Sequence, residues 1–287
     1  MSTSAGGLVT RSAPSDERTT RLFRPWLHNE GEMGMTRKGL LLGLLALSLA
    51  VSGLQAQTAP AAPAASAVDP AAIQALKQMG AHLQSLKRFQ VSTEVTGERV
   101  LADGQKLQHT ATADLDVSRP NKLRARMVTP RSERELIYDG KTVTLFNPAQ
   151  KYYSRVELVD TLEGLIGRLQ EKFGVEVPLS DLFLWGTPAA PVDGIESAMN
   201  AGQDFVGDDL CDHYAFRQGR FDWQIWITAG GKPLPRKLVI TNRADDARPQ
   251  STSMIEWNLK PTFKDSVFAF TPPKGSTAVE IIPVKRK

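Results

Sequence analysis

Residues 208–213, DDLCDH, place three carboxylates, one thiol and one imidazole in consecutive positions. Side chains of these types can be catalytic, because an Asp–His pair can transfer protons and a thiol can act as a nucleophile. In a strand, however, Asp212 and His213 point to opposite faces, so they cannot pair with each other. Asp208 and Asp209 are typical of a turn before a strand. We therefore expect no catalytic residues here and no enzyme activity. A hydrolase that uses Asp212, His213 or Cys211 is the disfavoured alternative.

Cysteine, histidine and charge counts argue against several kinds of site. Cys211 is the single cysteine, which rules out an intrachain disulfide and a cysteine-based zinc cluster. The four histidines lie far apart in the sequence, so we expect no metal site and no cofactor. The net charge is +4, with 35 basic and 31 acidic residues interspersed, which gives no basis for a nucleic-acid partner.

One group of basic residues surrounds a single predicted strand: Lys122, Arg124, Arg126, Arg131 and Arg134. Such a group can attract acidic lipid headgroups. Glu133 and Glu135 alternate with it in the sequence. This alternation favours a solvated face of the sheet over a lipid-binding patch.

The N-terminal part of the chain predicts an exported protein. Within residues 35–56, a basic pair precedes about fifteen apolar residues, as in a secretory signal peptide, with cleavage expected after Ala56. The apolar run is short for a membrane span, which needs roughly 20 residues, and an uncleaved anchor is the alternative interpretation. Residues 1–34 are expected to be a disordered extension or a mis-assigned start, 57–68 an Ala/Pro-rich linker, and 69–287 the folded domain. We expect a monomer, soluble in the periplasm after cleavage.

The folded part alternates between helical and extended patterns. Asp69-Pro70 starts a predicted helix over residues 70–88, since Asp caps helices and Pro suits their first position. About six strands with short turns follow, and then helices over 160–174 and 179–185, with one more short helix expected over 195–200. Strands then resume, and a last extended piece covers 278–284.

The hairpin over residues 221–241 organises the late strands. Phe221, Trp223, Ile225 and Ile227 share one face of its first strand. Pro233 and Pro235 cannot donate ladder hydrogen bonds, so the second strand should enter the sheet at a bulge or an edge. Together the patterns predict an α+β fold: a strongly curved antiparallel sheet of about eleven strands, an incomplete barrel, with an N-terminal helix and a mid-chain helical lid.

In its order of helices and strands and in several short motifs, the chain resembles the DUF2092 family of predicted periplasmic proteins, within the LolA/LolB-like lipoprotein-carrier superfamily. The matching motifs are Tyr138-Asp139-Gly140-Lys141, Asn147-Pro148, Asp212-His213-Tyr214-Ala215-Phe216, Asp222-Trp223-Gln224-Ile225-Trp226-Ile227, Pro233-Leu234-Pro235-Arg236-Lys237 and Phe268-Ala269-Phe270-Thr271-Pro272-Pro273. What the resemblance implies is a half-barrel with a helical lid that encloses a cavity for acyl chains.

The first functional hypothesis is a carrier that binds a lipid or an acylated protein by its acyl chain in the concave face. The hydrophobic cavity would be lined by the inward residues of the strands and lid, which are Val91, Val95, Leu107, Leu115, Leu123, Met127, Leu165, Leu169, Trp223, Ile225 and Ile227. The alternative is a non-catalytic module that binds an envelope protein and fills the cavity with its own helices. The size of the space between sheet and helices distinguishes the two.

Overall fold

A single sheet of twelve strands dominates the computed structural model, which describes residues 67–284. Helix α1 (Pro70–Ser85) comes first. The first block of strands is β1 (Arg88–Val100), β2 (Lys106–Ser118), β3 (Lys122–Thr129), β4 (Ser132–Tyr138), β5 (Thr142–Asn147) and β6 (Tyr152–Glu157). Helices α2 (Leu162–Phe173) and α3 (Asp181–Leu184) follow. The rest comprises β7 (Ile195–Val206), β8 (Asp209–Gln218), β9 (Phe221–Thr228), β10 (Pro235–Asn242), β11 (Gln250–Asn258), a 3₁₀ turn (Asp265–Phe268) and β12 (Thr277–Ala278).

The strand order is β12-β6-β5-β4-β3-β2-β1-β11-β10-β9-β8-β7. Each block is a meander, and the antiparallel pairing of β1 with β11 joins the two blocks at the centre of the sheet. The sheet is curved and unclosed, so the predicted incomplete barrel is confirmed. The count exceeds the predicted eleven by β12, a two-residue strand that runs parallel to β6.

The core lies on the concave face, between the sheet and the helices. Along β9, Phe221, Trp223, Ile225 and Ile227 belong to this core, as the alternation predicted. Trp226 belongs instead to a small cluster on the opposite, convex face, with Val206, Cys211 and Val239. Because the helices cover the concave side, one sheet suffices to bury a core without a second sheet.

Helix α1 starts where its capping residues predict and ends earlier than expected. The Asp69 side chain accepts a hydrogen bond from the Ala71 N–H at 2.8 Å. The predicted end at residue 88 is wrong, because the chain is already extended at Leu86. Arg88 begins β1 and pairs with Ser118. The last residue of the predicted helix is therefore part of the sheet.

Two further predictions need correction, and one is confirmed. Residues 195–200 form the start of β7 and not a helix, because they pair with β8. In the extended piece expected over 278–284, only Ala278 lies in a strand, which is β12. At the end of this piece, the Val284 N–H donates a hydrogen bond to the Lys172 carbonyl at 2.8 Å. The register of β9 and β10 shifts between Pro235 and Lys237, as the prolines predicted.

The predicted extension, signal peptide and most of the linker lie outside the described residues, so those statements stay predictions. Within residues 67–284, no helix combines the length and apolar character that crossing a membrane would require.

Candidate functional site

The predicted cavity residues separate into three groups in the structure. Eight of them are buried in one hydrophobic core, namely Val91, Leu115, Leu123, Leu165, Leu169, Trp223, Ile225 and Ile227. Met127 is partly buried at the margin of that core. Val95 is half-buried and Leu107 is 38% exposed, towards the end of the β1–β2 hairpin. Within residues 67–284, the concave face is therefore largely covered at these positions, and Leu107, near the turn of the β1–β2 hairpin, is the exposed one of the eleven.

A small cavity lies between the sheet and the segment around α3. Its volume is about 30 Å³, within a recess of about 460 Å³ when the space open to solvent is included. The lining residues are Leu179, Asp181, Leu182, Trp185, Pro191, Trp223, Ile225, Pro235, Leu238 and Ile255. A space this small holds about one or two water molecules. The space here is thus smaller than a ligand, as the interaction-module alternative predicts, and an acyl chain could enter only if the covering segment moved.

Residues 175–193, here called the plug segment, fill the hollow opposite β9. Glycines with positive φ flank it, Gly174 at 63° and Gly194 at 73°. Within it, Phe183 is fully buried, and the Trp185 ring lies 6.2 Å from the ring of Trp223. This segment is therefore the part of the predicted lid that packs against the concave face at β9.

Side-chain amides hold the plug segment from two sides. The Gln84 Nε2 group, on α1, donates to the Trp185 carbonyl at 2.7 Å and to the Phe183 carbonyl at 3.3 Å. From β8, the buried Gln218 donates to the carbonyls of Pro191 and Asp193, at 3.1 and 2.6 Å. The Trp223 indole N–H donates to the Oε1 atom of the same Gln218. These contacts satisfy backbone carbonyls that regular secondary structure does not pair.

Helix α1 also touches the plug segment backbone to backbone. A Cβ atom added at Gly80 would lie 2.5 Å from the Gly186 nitrogen, and Gly186 has a φ of 81°. Any side chain at either position would force the two elements apart. The contact explains why glycine occupies the interior of α1 at a position where it weakens the helix.

Helix α2 is fastened to the sheet by polar contacts of its own. The Arg119 guanidinium pairs with Glu163 in the first turn of α2, and the Arg119 side chain is only 7% exposed. The Tyr138 hydroxyl donates to the Asp160 carbonyl at 2.8 Å and accepts the Asp160 N–H at 2.9 Å. These contacts hold the start of α2 against the sheet, and the Arg119 guanidinium also lies 5.8 Å from the centroid of the Phe183 ring in the plug segment.

Among the described residues that line the cavity, Asp181, the first residue of α3, is the only one with a titratable side chain. The residue is partly buried as a whole, but its Oδ1 atom is enclosed and has no hydrogen-bond partner. Burial raises the pKa of the Asp181 carboxyl to about 7. Two positions away, Leu179 has a φ of 52°, which is unfavourable for a residue with a branched side chain.

The reactive run 208–213 forms no catalytic arrangement among the described residues. The His213 ring stacks on Trp226 with centroids 4.0 Å apart and hydrogen-bonds Gln224 at 3.0 Å. Asp212 accepts a hydrogen bond from Gln203 instead of pairing with His213. Burial raises the pKa of the Cys211 thiol, which keeps it protonated and a poor nucleophile.

The basic group around β3 is largely neutralised by neighbouring acids. Arg124 pairs with Glu135 at 3.0 Å, and Arg126 pairs with Glu133 at 2.7 Å. Lys122 pairs with Asp265 at 3.0 Å. These three cations are therefore paired with acids at partly exposed positions, which agrees with the expected solvated face.

Sequence reasoning missed Asp181, Gln84 and Gln218 as residues of the site. Asp181 carries a weak signal, because it stands directly before the apolar residues of α3. The two glutamines carry none, since their partners in the plug segment lie 99 and more positions away for Gln84, and 25 and more for Gln218. Only the folded chain brings them to the plug segment.

An open antiparallel half-barrel with helices over its apolar concave face defines the class of protein. Its sequence matches the family described as "Predicted periplasmic protein (DUF2092)" over residues 72–282. The chain belongs to this family, and the predicted resemblance to it is confirmed. No curated protein matches the sequence.

Solved structures similar to this chain include three that cover about two thirds of it or more. Lipoprotein LppX of Mycobacterium tuberculosis is 14% identical, with a TM-score of 0.41, over 68% of this chain and 98% of that one. LprF of Mycobacterium bovis is 13% identical, with a TM-score of 0.40, over 73% and 99%. A LolA superfamily protein of Nitrosomonas europaea is 11% identical, with a TM-score of 0.32, over 69% and 97%.

Proposed function

We propose that this protein binds the apolar chain of a lipid or an acylated protein in the periplasm, in the space that the plug segment occupies. The observation that carries the proposal is the recess between α3 and β9–β11, whose lining is apolar except for Asp181. Trp223 and Ile225, both predicted as cavity residues, lie in that lining. Binding would replace contacts of the plug segment with contacts of the ligand.

Two local features favour displacement of the plug segment. Leu179 is held at positive φ, which costs about 1 kcal/mol. Asp181 has a buried oxygen without a partner, which costs about 1–3 kcal/mol. The first penalty is relieved when the backbone at Leu179 rotates as the plug segment shifts outward, and the second when a ligand brings a hydrogen-bond donor to Asp181. The positive-φ glycines at both ends, Gly174 and Gly194, give the segment natural points of rotation.

Displacement of the plug segment would also expose apolar side chains to water, and the free-energy cost of this exposure opposes it. Leu182, Phe183 and Trp185 are buried, and each contributes roughly 2–3 kcal/mol when removed from water. The plug segment therefore stays closed without a ligand. Burial of an acyl chain contributes about 0.8 kcal/mol per methylene, so about ten methylenes are needed to offset the exposure. We expect a threshold in chain length, with octanoate failing to bind and hexadecanoate binding.

Tryptophan quenching tests the proposal directly. A fatty acid brominated along its chain should quench the fluorescence of Trp185 and Trp223, because both rings border the recess. Trp185→Phe should reduce the quenched fraction. Trp226→Phe is the matched control, since Trp226 lies in the convex cluster. Native mass spectrometry of protein purified from the periplasm should also detect bound lipid. A lipid-free mass together with no quenching by any chain length would refute the proposal.

A second candidate, an interaction module with a filled hollow, is favoured by the exposed end of edge strand β7. Phe205 is 68% exposed and pairs in register with Leu210, which is 41% exposed. Within residues 67–284, β7 pairs with β8 and, at Ala198 alone, with Val68. A partner strand adding to this edge would cover both apolar side chains. In-cell crosslinking that captures one defined protein and is lost in Phe205→Ser would support this candidate.

A further inference from the structure

Asp181 carries the one titratable side chain among the described residues that line the recess. Its Oδ1 atom is enclosed and lacks a hydrogen-bond partner, although the residue as a whole is partly exposed. The carboxyl therefore presents an oxygen without a hydrogen-bond partner among the apolar side chains that line the recess. None of the other lining residues carries a charged or titratable side chain, so no group in the recess compensates an ionised Asp181.

We propose that Asp181 selects ligands whose polar end carries a hydrogen-bond donor, above all an amine, and disfavours those that end in a carboxylate. This inference rests on the proposed function, because it presumes that an apolar chain enters the recess. It adds the chemical class of the group at the end of the chain.

Electrostatics explains why an amine should bind more tightly than a carboxylate. An ammonium group beside Asp181 would supply both a donor and a compensating charge for an oxygen that has neither. A carboxylate in the same place would put two acids into one poorly solvated site, where only one of them can ionise. A neutral hydroxyl would donate a hydrogen bond without charge compensation, so its affinity should lie between the two.

The experiment compares three probes of equal chain length with the purified, lipid-stripped protein at pH 8. Calorimetric titration would measure the affinities for dodecylamine, dodecanol and dodecanoate below their aggregation concentrations. A hydrogen bond to a charged group corresponds to about a tenfold to hundredfold change in affinity. We expect dodecylamine to bind at least about tenfold more tightly than dodecanoate.

Two variants locate the effect. Asp181→Asn keeps the shape of the side chain and removes its charge, and we expect it to reduce the preference for amine over carboxylate below about threefold. Asp246→Asn, in an exposed turn, removes the same charge elsewhere and should retain the full preference. Circular dichroism and thermal melts would verify that both variants fold. If Asp181→Asn fails to fold, the ranking of the three probes on the wild-type protein decides the question alone.

The possible results separate this inference from the proposed function. Equal affinities for all three probes, or a preference that survives Asp181→Asn, would overturn the role of Asp181 and leave apolar-chain binding intact. Binding of none of the probes, nor of hexadecanoate, would overturn the proposed function and this inference with it.

Discussion

Replacement of Asp181 by Asn should change how the stability of the protein depends on pH. An aspartate in the unfolded chain has a pKa of 3.8, whereas burial raises the pKa of Asp181 in the folded protein to about 7. Between these values the folded protein holds a proton that the unfolded chain has released. Folding therefore takes up a proton, and stability falls as the pH rises from about 4 to about 7.

The size of this loss follows from the difference in pKa. One pKa unit corresponds to about 1.4 kcal/mol, so a shift of about three units gives an upper bound of about 4 kcal/mol. Because Asp181 as a residue is partly exposed, solvent reduces the effect, and we expect about 2 kcal/mol. Asp181→Asn carries no titratable group and should lose none of this stability with pH.

Urea unfolding of both proteins at pH 4.5, 6 and 8 provides the measurement. Burial lowers the pKa values of His82 and His109, which adds a pH dependence of its own, but this contribution is the same in both proteins. The informative quantity is the difference in unfolding free energy between variant and wild type. It should grow in favour of the variant from pH 4.5 to pH 8. A difference that stays constant over that range would refute the assignment of Asp181 as a buried carboxyl without a partner.

Two further predictions concern the contacts that hold the helices on the sheet. Gly80→Ala should destabilise the protein by about 1–3 kcal/mol in urea unfolding, because its Cβ meets the Gly186 backbone. Gly167→Ala, where a Cβ meets nothing within 4 Å, should instead stabilise α2 by about 0.5–1 kcal/mol, and equal effects of the two changes would contradict the packing described. Glu163→Gln should cost about 2–3 kcal/mol, because it leaves the nearly buried Arg119 without its counter-ion. A loss below about 0.5 kcal/mol at low salt would show that this pair does not hold α2.

Local patterns in the sequence predicted most of the fold correctly. Three of these patterns involve only residues close together in the sequence. They are the alternation in β9, the cap at Asp69 and the glycine that ends α2. Each was therefore visible without the tertiary structure. Where local preference and pairing disagreed, pairing prevailed. Residues 195–200 have a composition compatible with a helix, but β8 offers them a complete set of hydrogen-bond partners.

The candidate site was predicted less well, for a related reason. Alternation identifies which residues face the concave side, and eight of the eleven predicted cavity residues are buried there. It does not say what covers them. Leu107 follows the same alternation as Leu115, yet it lies beyond the helices and is exposed.

By itself, the sequence determined the order of helices and strands, the faces of the strands and the family, because these depend on neighbours along the chain. Tertiary structure alone decided that the plug segment fills the hollow, and that Gln84 and Gln218 hold it there. It also decided that Asp181 is enclosed without a partner. These outcomes depend on contacts between residues distant in sequence, which exist only once the sheet has curved around the helices.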